Sequence, residues 1–293
     1  MEFLKEIMKK FARSLIIAVT LCYSQFIFSA NINTVNQEFN WTGFYLGGNV
    51  GYWGSQTNNI TNTGSVSYIN PTYAPGASNI ANALAQLATI SSSLNSYGFI
   101  AGAQAGYNYE FSRWFLLGLN IDFDGSTNSN NNIVLQKTVN LVDYDENYVG
   151  SLAIKEKINY LSALRVRLGY LLSPTFLIYG TGGVAVGNVT LNTAWTAQES
   201  LGSAVFPTIT TQNNSNRTLS GWATGAGIEW LFKPNWSSTL DYTYYSLNSM
   251  KVPATLAQIN AAVSPSVLWG SATSNTALSL SVWTIRIGVN YYF

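Results

Sequence analysis

The stretch of residues 281–293 is the part of the sequence that most restricts the fold. Every second residue belongs to an apolar set: Trp283, Ile285, Ile287, Val289, Tyr291 and Phe293. The residues between them form a mostly polar set: Thr284, Arg286, Gly288, Asn290 and Tyr292. A period of two indicates an extended strand, and an apolar face with aromatic ends is typical of a strand that faces lipid. Because a membrane sheet cannot leave an open edge, further strands must close a barrel with this one.

The composition supports a membrane barrel over a bundle of membrane helices. A membrane helix needs about 20 consecutive apolar residues, and the single candidate, residues 14–28, is shorter. Only 9% of the 293 residues are charged, although the mean hydropathy is just +0.11. The 18 Tyr, 14 Phe and 9 Trp residues instead lie among many Gly, Asn, Ser and Thr residues.

Residues 1–30 have the pattern of an export signal, with basic residues before an apolar run and small residues after it. We predict that this signal peptide is removed and that residues 31–293 form the membrane barrel. Phe28 is large for its place before a cut after Ala30, so the cleavage position stays open, and an uncleaved anchor is the alternative. The single cysteine, Cys22, lies in the signal, so thiol chemistry is not expected in the mature protein.

Seven further segments alternate as residues 281–293 do, and they are residues 41–54, 97–111, 114–124, 158–171, 176–189, 219–232 and 236–245. The facing of 176–189 stays open, because this strand is rich in glycine. Short connections alternate with four long ones, near residues 55–95, 126–155, 191–216 and 247–275. Membrane barrels place short turns in the periplasm and long loops outside. The sequence therefore predicts an all-β fold, an eight-stranded antiparallel up-and-down transmembrane β-barrel with four long external loops. Apolar spacing also predicts short amphipathic helices at 78–94 and 253–263, within two of these loops.

Six segments carry a family resemblance, and in order they read WTGFYLGGNVGY, ALRVRLGY, IYGTGGVA, GWATGAGIEW, LDYTYY and TIRIGVNYYF. Together they resemble the OmpA-like outer-membrane β-barrel family, in particular its small surface-exposed "porin family" branch of Gram-negative bacteria. The resemblance covers the strands and turns between Trp41 and Phe293, not the loops. It implies a location in the bacterial outer membrane. It also implies that Phe293 and Tyr291 form the signal recognised by the barrel-assembly machinery.

The polar faces of the predicted strands carry charges that we expect inside the barrel: Glu110, Asp122, Asp124, Arg165, Arg167, Glu229, Asp241 and Arg286. Side chains just fill an eight-stranded barrel, and an unpaired buried ion costs several kcal/mol. We therefore predict a structural ladder of ion pairs that fixes the strand register and fills the interior. Asp241 and Glu229 are the expected partners of Arg286. A conducting filter made of the same groups is the alternative.

Glycines and aromatic residues complete the predicted barrel. Glycines recur every four residues on inward faces, at positions 43, 47, 51 and 98, 102, 106, where they leave room for a large side chain opposite. Aromatic residues at strand ends predict girdles at the two membrane interfaces. The candidates are Tyr45, Tyr52, Tyr97, Tyr107, Tyr109, Trp114, Tyr170, Trp230, Trp236, Tyr242, Trp283 and Tyr291.

The sequence points away from an enzyme. It contains no histidine, which removes imidazole bases and histidine metal ligands. The acidic group Asp143, Asp145 and Glu146 fits a solvated loop tip better than a calcium site, and we expect no cofactor. Residues 31–293 contain 10 Lys/Arg and 11 Asp/Glu, and their net charge of −1 does not suggest nucleic acid as a partner.

We expect a structural and surface role, which covers envelope integrity, surface antigenicity and contacts made by the long loops. The expected partners are outer-membrane lipid, the barrel-assembly machinery during insertion, and a host or cell-surface partner at the loops. A narrow passive channel for small solutes is one alternative, and an adhesin or ligand receptor acting through the loops is another.

Overall fold

The computed structural model describes residues 40–68, 85–86, 88–127, 132–141, 146–201, 204–205, 209–260 and 268–293. The predicted signal peptide and the acidic residues Asp143 and Asp145 lie outside these ranges. The described residues form ten strands: β1 (Gly43–Tyr68), β2 (Ile90–Glu110), β3 (Phe115–Ser126), β4 (Asn132–Leu141), β5 (Glu146–Ser173), β6 (Phe176–Leu201), β7 (Ala204–Val205), β8 (Ile209–Lys233), β9 (Trp236–Asn260) and β10 (Leu268–Tyr292). In this part of the chain, no helix is long and apolar enough to cross a membrane.

Eight of these strands close a ring in the order β1, β2, β3, β5, β6, β8, β9 and β10, and β10 pairs with β1 again. Every pairing is antiparallel. The remaining strands, β4 and β7, pair with the far parts of β5 and β6. The prediction of an all-β antiparallel barrel is confirmed, and the two added strands are new. Three short turns, after β2, β5 and β8, lie at one end of the ring, which we call the turn end.

The half of the barrel next to the turn end is apolar outside and polar inside. On β10, Ile287 is 59% exposed and Arg286 is 1% exposed, and Phe293, which directly follows β10, is 76% exposed. The same alternation settles the facing of β6, because Leu177 and Tyr179 are buried inside while Val184 is exposed on the outside. This half therefore has the apolar outer band of a membrane barrel.

Aromatic contacts mark both borders of this band. Those at the turn end include Trp236 with Tyr291, whose ring centroids are 5.1 Å apart. Those at the other border, the far girdle, include Phe123–Tyr160, Trp222–Tyr244 and Tyr52–Trp283. The step from Trp283 to Phe293 corresponds to roughly 25 Å along the axis of a tilted barrel, the height of a membrane barrel's apolar band. One girdle assignment was wrong, because Tyr45 is buried in the interior.

Beyond the far girdle the ring opens into two sheets. The described pairing of β8 with β9 ends at Gly221–Leu247, and that of β2 with β3 ends at Ile100–Ser126. Past these points β4, β5, β6 and β8 form one sheet, and β2, β1, β10 and β9 form the other. We call this two-sheet part the sandwich. Much of what the sequence predicted as long loops is therefore strand, and this is a correction.

An apolar core holds the two sheets of the sandwich together. It includes Ile154, Leu191 and Trp195 from one sheet and Leu94, Met250 and Leu280 from the other. The outward residues here are mainly Thr, Asn, Ser and Lys, so inside and outside are reversed relative to the membrane half. The register of β5 shifts between Ile158 and Tyr160, where this reversal begins. Because a bulge changes which residues face inward, the alternation breaks there, and the sequence pattern alone suggested a loop.

The two predicted helices are also corrected. Residues 253–260 belong to β9, and residues 90–94 belong to β2. Of the described residues in the first helix prediction, 85, 86 and 88 are helical. A strand with one face in the sandwich core and a short helix both present apolar residues at intervals, so spacing over a few residues does not separate them.

Candidate functional site

Inward positions on β3, β5, β8, β9 and β10 bring charged side chains together in the middle of the membrane half. Seven of the eight residues singled out from the sequence are buried in this charge network: Asp122, Asp124, Arg165, Arg167, Glu229, Asp241 and Arg286. The eighth, Glu110, ends β2 beside the turn and is partly exposed. It makes no ion pair within the described residues.

Two arginines and three aspartates form the part of the network nearer the sandwich. Arg286 Nη2 lies 2.7 Å from Asp241 Oδ1, and Arg286 Nη1 lies 3.2 Å from Asp122 Oδ1 and also pairs with Asp124. Arg165 Nη2 lies 2.7 Å from Asp122 Oδ2. Asp122 therefore bridges the two guanidinium groups, and it draws β3, β5 and β10 together.

Arg167 and Glu229 form the part nearer the turn end. They pair directly, and Glu229 also accepts hydrogen bonds from Asn290 Nδ2 and the Tyr292 hydroxyl, both at 2.9 Å, and from Ser237. The Arg167 guanidinium carbon lies 3.6 Å from the centre of the Tyr179 ring. Of the two partners expected for Arg286, Asp241 pairs with it, whereas Glu229 pairs with Arg167.

Uncharged side chains supply further hydrogen bonds to the network, and the sequence analysis did not single them out. Arg165 Nη1 donates to Thr243 Oγ1 at 2.6 Å, and Gln104 Nε2 donates to Asn290 Oδ1 at 2.7 Å. The Tyr179 hydroxyl donates to Asp241 at 3.3 Å. All of these residues occupy inward positions, so extending the period-two count from charged to polar residues would have found most of them.

Small residues make room for the large interior side chains. A Cβ atom on Gly106 would lie 2.5 Å from the Tyr45 ring, and one on Gly227 would lie 2.5 Å from the Tyr179 ring. A Cβ atom on Gly51 would lie 2.9 Å from Cγ of Arg286. The prediction that inward glycines leave space for tyrosine and arginine is confirmed at these positions.

Apolar residues close the charge network on both sides. Toward the turn end, Trp41, Tyr45, Leu116, Leu171, Leu177, Tyr179, Leu231 and Tyr292 form a buried cluster. Trp41 Nε1 donates to the carbonyl of Pro174 at 3.0 Å, which fastens the entry of β1 across the turn after β5. Toward the other side lies the core of the sandwich. A cavity of about 10 Å³ remains beside Arg165, Arg167 and Asp241, and this is room for about one water molecule.

This arrangement is suited to holding charges in fixed positions. Four carboxylates surround three guanidinium groups, and every one of these charged groups contacts a group of opposite charge. Within the described residues, no group of three or more Asp, Glu, Cys or His side chains is arranged to hold a metal ion.

Comparison with known proteins identifies the family. A family model described as the outer membrane protein beta-barrel domain matches residues 26–293. The 31 kDa outer-membrane immunogenic protein of Brucella melitensis is 27% identical over 255 residues, which cover 87% of this chain and 85% of that protein. The 22 kDa outer membrane protein of Rhizobium leguminosarum is 30% identical over 106 residues, which cover 36% of this chain and 42% of that protein.

Among solved structures, the attachment invasion locus protein Ail of Yersinia pestis aligns with a TM-score of 0.35 and 13% identity, over 86% of this chain and 99% of that one. The family model covers most of the chain and agrees with the closed ring of strands and its apolar outer band. The chain therefore belongs to the outer membrane protein β-barrel domain family and is an integral β-barrel protein of the bacterial outer membrane.

Proposed function

We propose that this protein is a closed membrane anchor that holds a rigid β-sandwich at the cell surface. Its role would then be structural and surface-exposed, without enzymatic activity and without steady conduction of solutes. The observation that carries the proposal is the filled interior, in which the charge network lies between the turn-end cluster and the core of the sandwich.

The filled interior disfavours the alternative of a narrow channel. A solute crossing the barrel would have to displace the buried side chains of Trp41 and Tyr292 at one end and Trp53 and Leu280 at the other. It would also have to separate Arg286 from its three aspartates. Breaking a buried ion pair costs about 3–5 kcal/mol, so steady passage is not expected.

The length of the strands supports surface display. β10 has 25 residues, and a tilted strand of that length rises about 60 Å along the axis, whereas the apolar band is about 25 Å high. The excess lies at the end away from the short turns, which in membrane barrels is the outside. A folded domain of this height would expose its outer faces to antibodies, which agrees with the word immunogenic in the name of the Brucella relative. The same faces could serve contacts with host or neighbouring cell surfaces.

The proposed assembly partner is the barrel-assembly machinery, recognised through Phe293 and Tyr291. Both side chains point outward at the turn end, and their ring centroids are 5.1 Å apart. A solvent- or lipid-facing aromatic pair on the last strand is accessible to a partner before the barrel is complete.

Planar-bilayer recording on the refolded mature protein tests the closed-anchor proposal. We expect no steady unitary conductance, and we expect the same for Arg113→Ala, a change of an exposed arginine in the turn after β2. Arg286→Ala should produce irregular current if the network closes the lumen. Steady unitary conductance in the unaltered protein would overturn the proposal in favour of a channel.

A further inference from the structure

A row of polar side chains lies on the outer face of β5, β6 and β8, immediately beyond the far girdle. The bulge in β5 places Asn159 and Tyr160 outward, between the inward residues Ile158 and Leu161. Asn159 Nδ2 donates to Asn188 Oδ1 at 2.6 Å, and Asn188 Nδ2 donates to Asn216 Oδ1 at 2.8 Å. The amides therefore form a continuous hydrogen-bonded row across three strands, which we call the amide row.

Two lysines stand directly above this row. Lys157 is exposed and Lys155 is half-buried, and they occupy the next two outward positions of β5 beyond the bulge. Their register partners on β6 are Thr190 and Asn192, which are neutral. The intervening Glu156 is buried on the inward side and accepts a hydrogen bond from Ser55 Oγ at 3.2 Å. At this height both charges on the outer face of β5 are therefore positive.

The opposite sheet differs at the same height. Asn95 on β2 and Ser281 on β10 occupy the outer positions next to the far girdle, and both are neutral. Lys251, on β9, also points outward, but it lies well beyond Tyr244 of the far girdle. It also belongs to the other sheet of the sandwich, because the described pairing of β8 with β9 ends before this height. Among the described residues, a hydrogen-bonded row of amides with lysines beside it therefore occurs on one side of the barrel alone.

The position of this face indicates what it contacts. Aromatic girdles mark the boundary between the hydrocarbon and the headgroups, so the amide row and the lysines lie at headgroup height. Lysine side chains attract anionic lipid surfaces. Asn159 Nδ2 and Asn188 Nδ2 already donate to Thr190 and Thr218 as well as within the row, so the row offers sugar hydroxyls mainly its carbonyl oxygens and the Asn216 amide nitrogen. We propose that Lys155, Lys157 and the amide row bind the phosphorylated sugar headgroup of the glycolipid in the outer leaflet. This relies on the outward orientation of the sandwich proposed above, but not on whether the barrel conducts.

Titration of the refolded mature protein in neutral detergent with diphosphoryl lipid A tests the proposal. Native mass spectrometry would count the bound lipid. Each lysine at an anionic surface is worth about fivefold in affinity, so Lys155→Gln together with Lys157→Gln should weaken binding about 25-fold. Lys251→Gln is the matched control and should change the affinity less than twofold. Fully dephosphorylated lipid A should bind the unaltered protein as weakly as diphosphoryl lipid A binds the double variant.

A charge-reversal variant and a competition experiment complete the test. Lys157→Glu alone, at an exposed position, should weaken binding more than Lys157→Gln, and the shift in electrophoretic mobility on heating reports that each variant is folded. Inorganic phosphate at millimolar concentration should not compete if the intact headgroup is recognised. Wild-type affinity in the folded double variant, or equal binding of the dephosphorylated lipid, would overturn the proposal.

Discussion

Arg286 on the last strand and Asp122 on β3 form an ion pair across the barrel, with 3.2 Å between Nη1 and Oδ1. The two strands are not neighbours, since β1 and β2 lie between them in the ring. The pair therefore connects positions that backbone hydrogen bonds do not connect, and it can form only when the last strand has closed the ring in the correct register. A one-residue slip of β10 would turn Arg286 outward into lipid, at a cost of roughly 2–4 kcal/mol near the midplane.

Arg286→Ala should lower the free energy of unfolding by about 3–5 kcal/mol, because Asp122, Asp124 and Asp241 would lose their shared buried partner. Urea titration of the refolded protein in detergent micelles, followed by the mobility shift on heating, measures the loss. Arg113→Ala, at an exposed turn position, is the control and should stay within about 0.5 kcal/mol. A loss below about 1 kcal/mol for Arg286→Ala would argue against a stabilising role for the network.

Trp41 at the turn end should contribute about as much to the free energy of unfolding as Arg286 in the middle of the membrane half. Trp41→Ala removes a fully buried side chain that packs edge-on against Tyr292, and it should cost about 3–5 kcal/mol in the free energy of unfolding. Trp41→Phe keeps much of the contact and loses the bond to Pro174, so about 1–2 kcal/mol is expected. The same urea titration ranks the two variants, and equal losses would show that the hydrogen bond, not the buried ring, dominates.

Counting every second residue predicted the strands of the membrane half correctly, because along each strand there the same alternate positions face inward throughout. Residues 281–293 illustrate this, since Ile287 and Phe293 are outside and Arg286 is inside, as the alternation predicts. The same count failed beyond the far girdle. There the inward residues are apolar and the outward ones polar, and bulges such as that at Ile158–Tyr160 shift the phase. A segment rich in Asn, Ser and Thr with a shifted phase has the composition of a loop, so the sandwich was missed.

The sequence pattern could not predict which charged residues pair with each other within the charge network. Alternation places Glu229, Asp241 and Arg286 on inward faces, but it does not give the height of each residue on its strand. Height depends on the stagger between neighbouring strands. In the structure Arg286 lies opposite Asp241 in the register of β9 and β10, whereas Glu229 lies closer to the turn end, beside Arg167.

Inward glycines should not tolerate a side chain where a tyrosine occupies their space. Gly106→Ala would place a methyl group 2.5 Å from the Tyr45 ring and 2.6 Å from the Leu119 carbonyl, and it should cost about 1–3 kcal/mol in the free energy of unfolding. Gly182→Ala is the matched control, because a methyl group there, on the outer face of β6, would meet nothing within 4 Å. Tyr45→Ala in the Gly106→Ala background should recover part of the loss, which a double-mutant cycle measures. Additive effects of the two changes would contradict the proposed competition for space.

The stability of the sandwich should depend on the burial of apolar side chains away from water, because its inward residues are apolar. The membrane half instead keeps most of its apolar side chains on the lipid-facing outside and buries polar ones. Val189 is fully buried in the sandwich core, and Val134 on β4 is 53% exposed on the outer face. Val189→Ala should therefore destabilise the sandwich by about 1.5–3 kcal/mol, while Val134→Ala should cost less than about 0.5 kcal/mol. Limited proteolysis of the protein in lipid nanodiscs separates the two halves, since the membrane-embedded strands are protected. We expect faster cleavage beyond the far girdle in Val189→Ala alone, with the mobility shift of the remaining barrel unchanged. Equal cleavage rates in the two variants would mean that the sandwich core contributes little to its stability, and that its strands are held by the barrel below them.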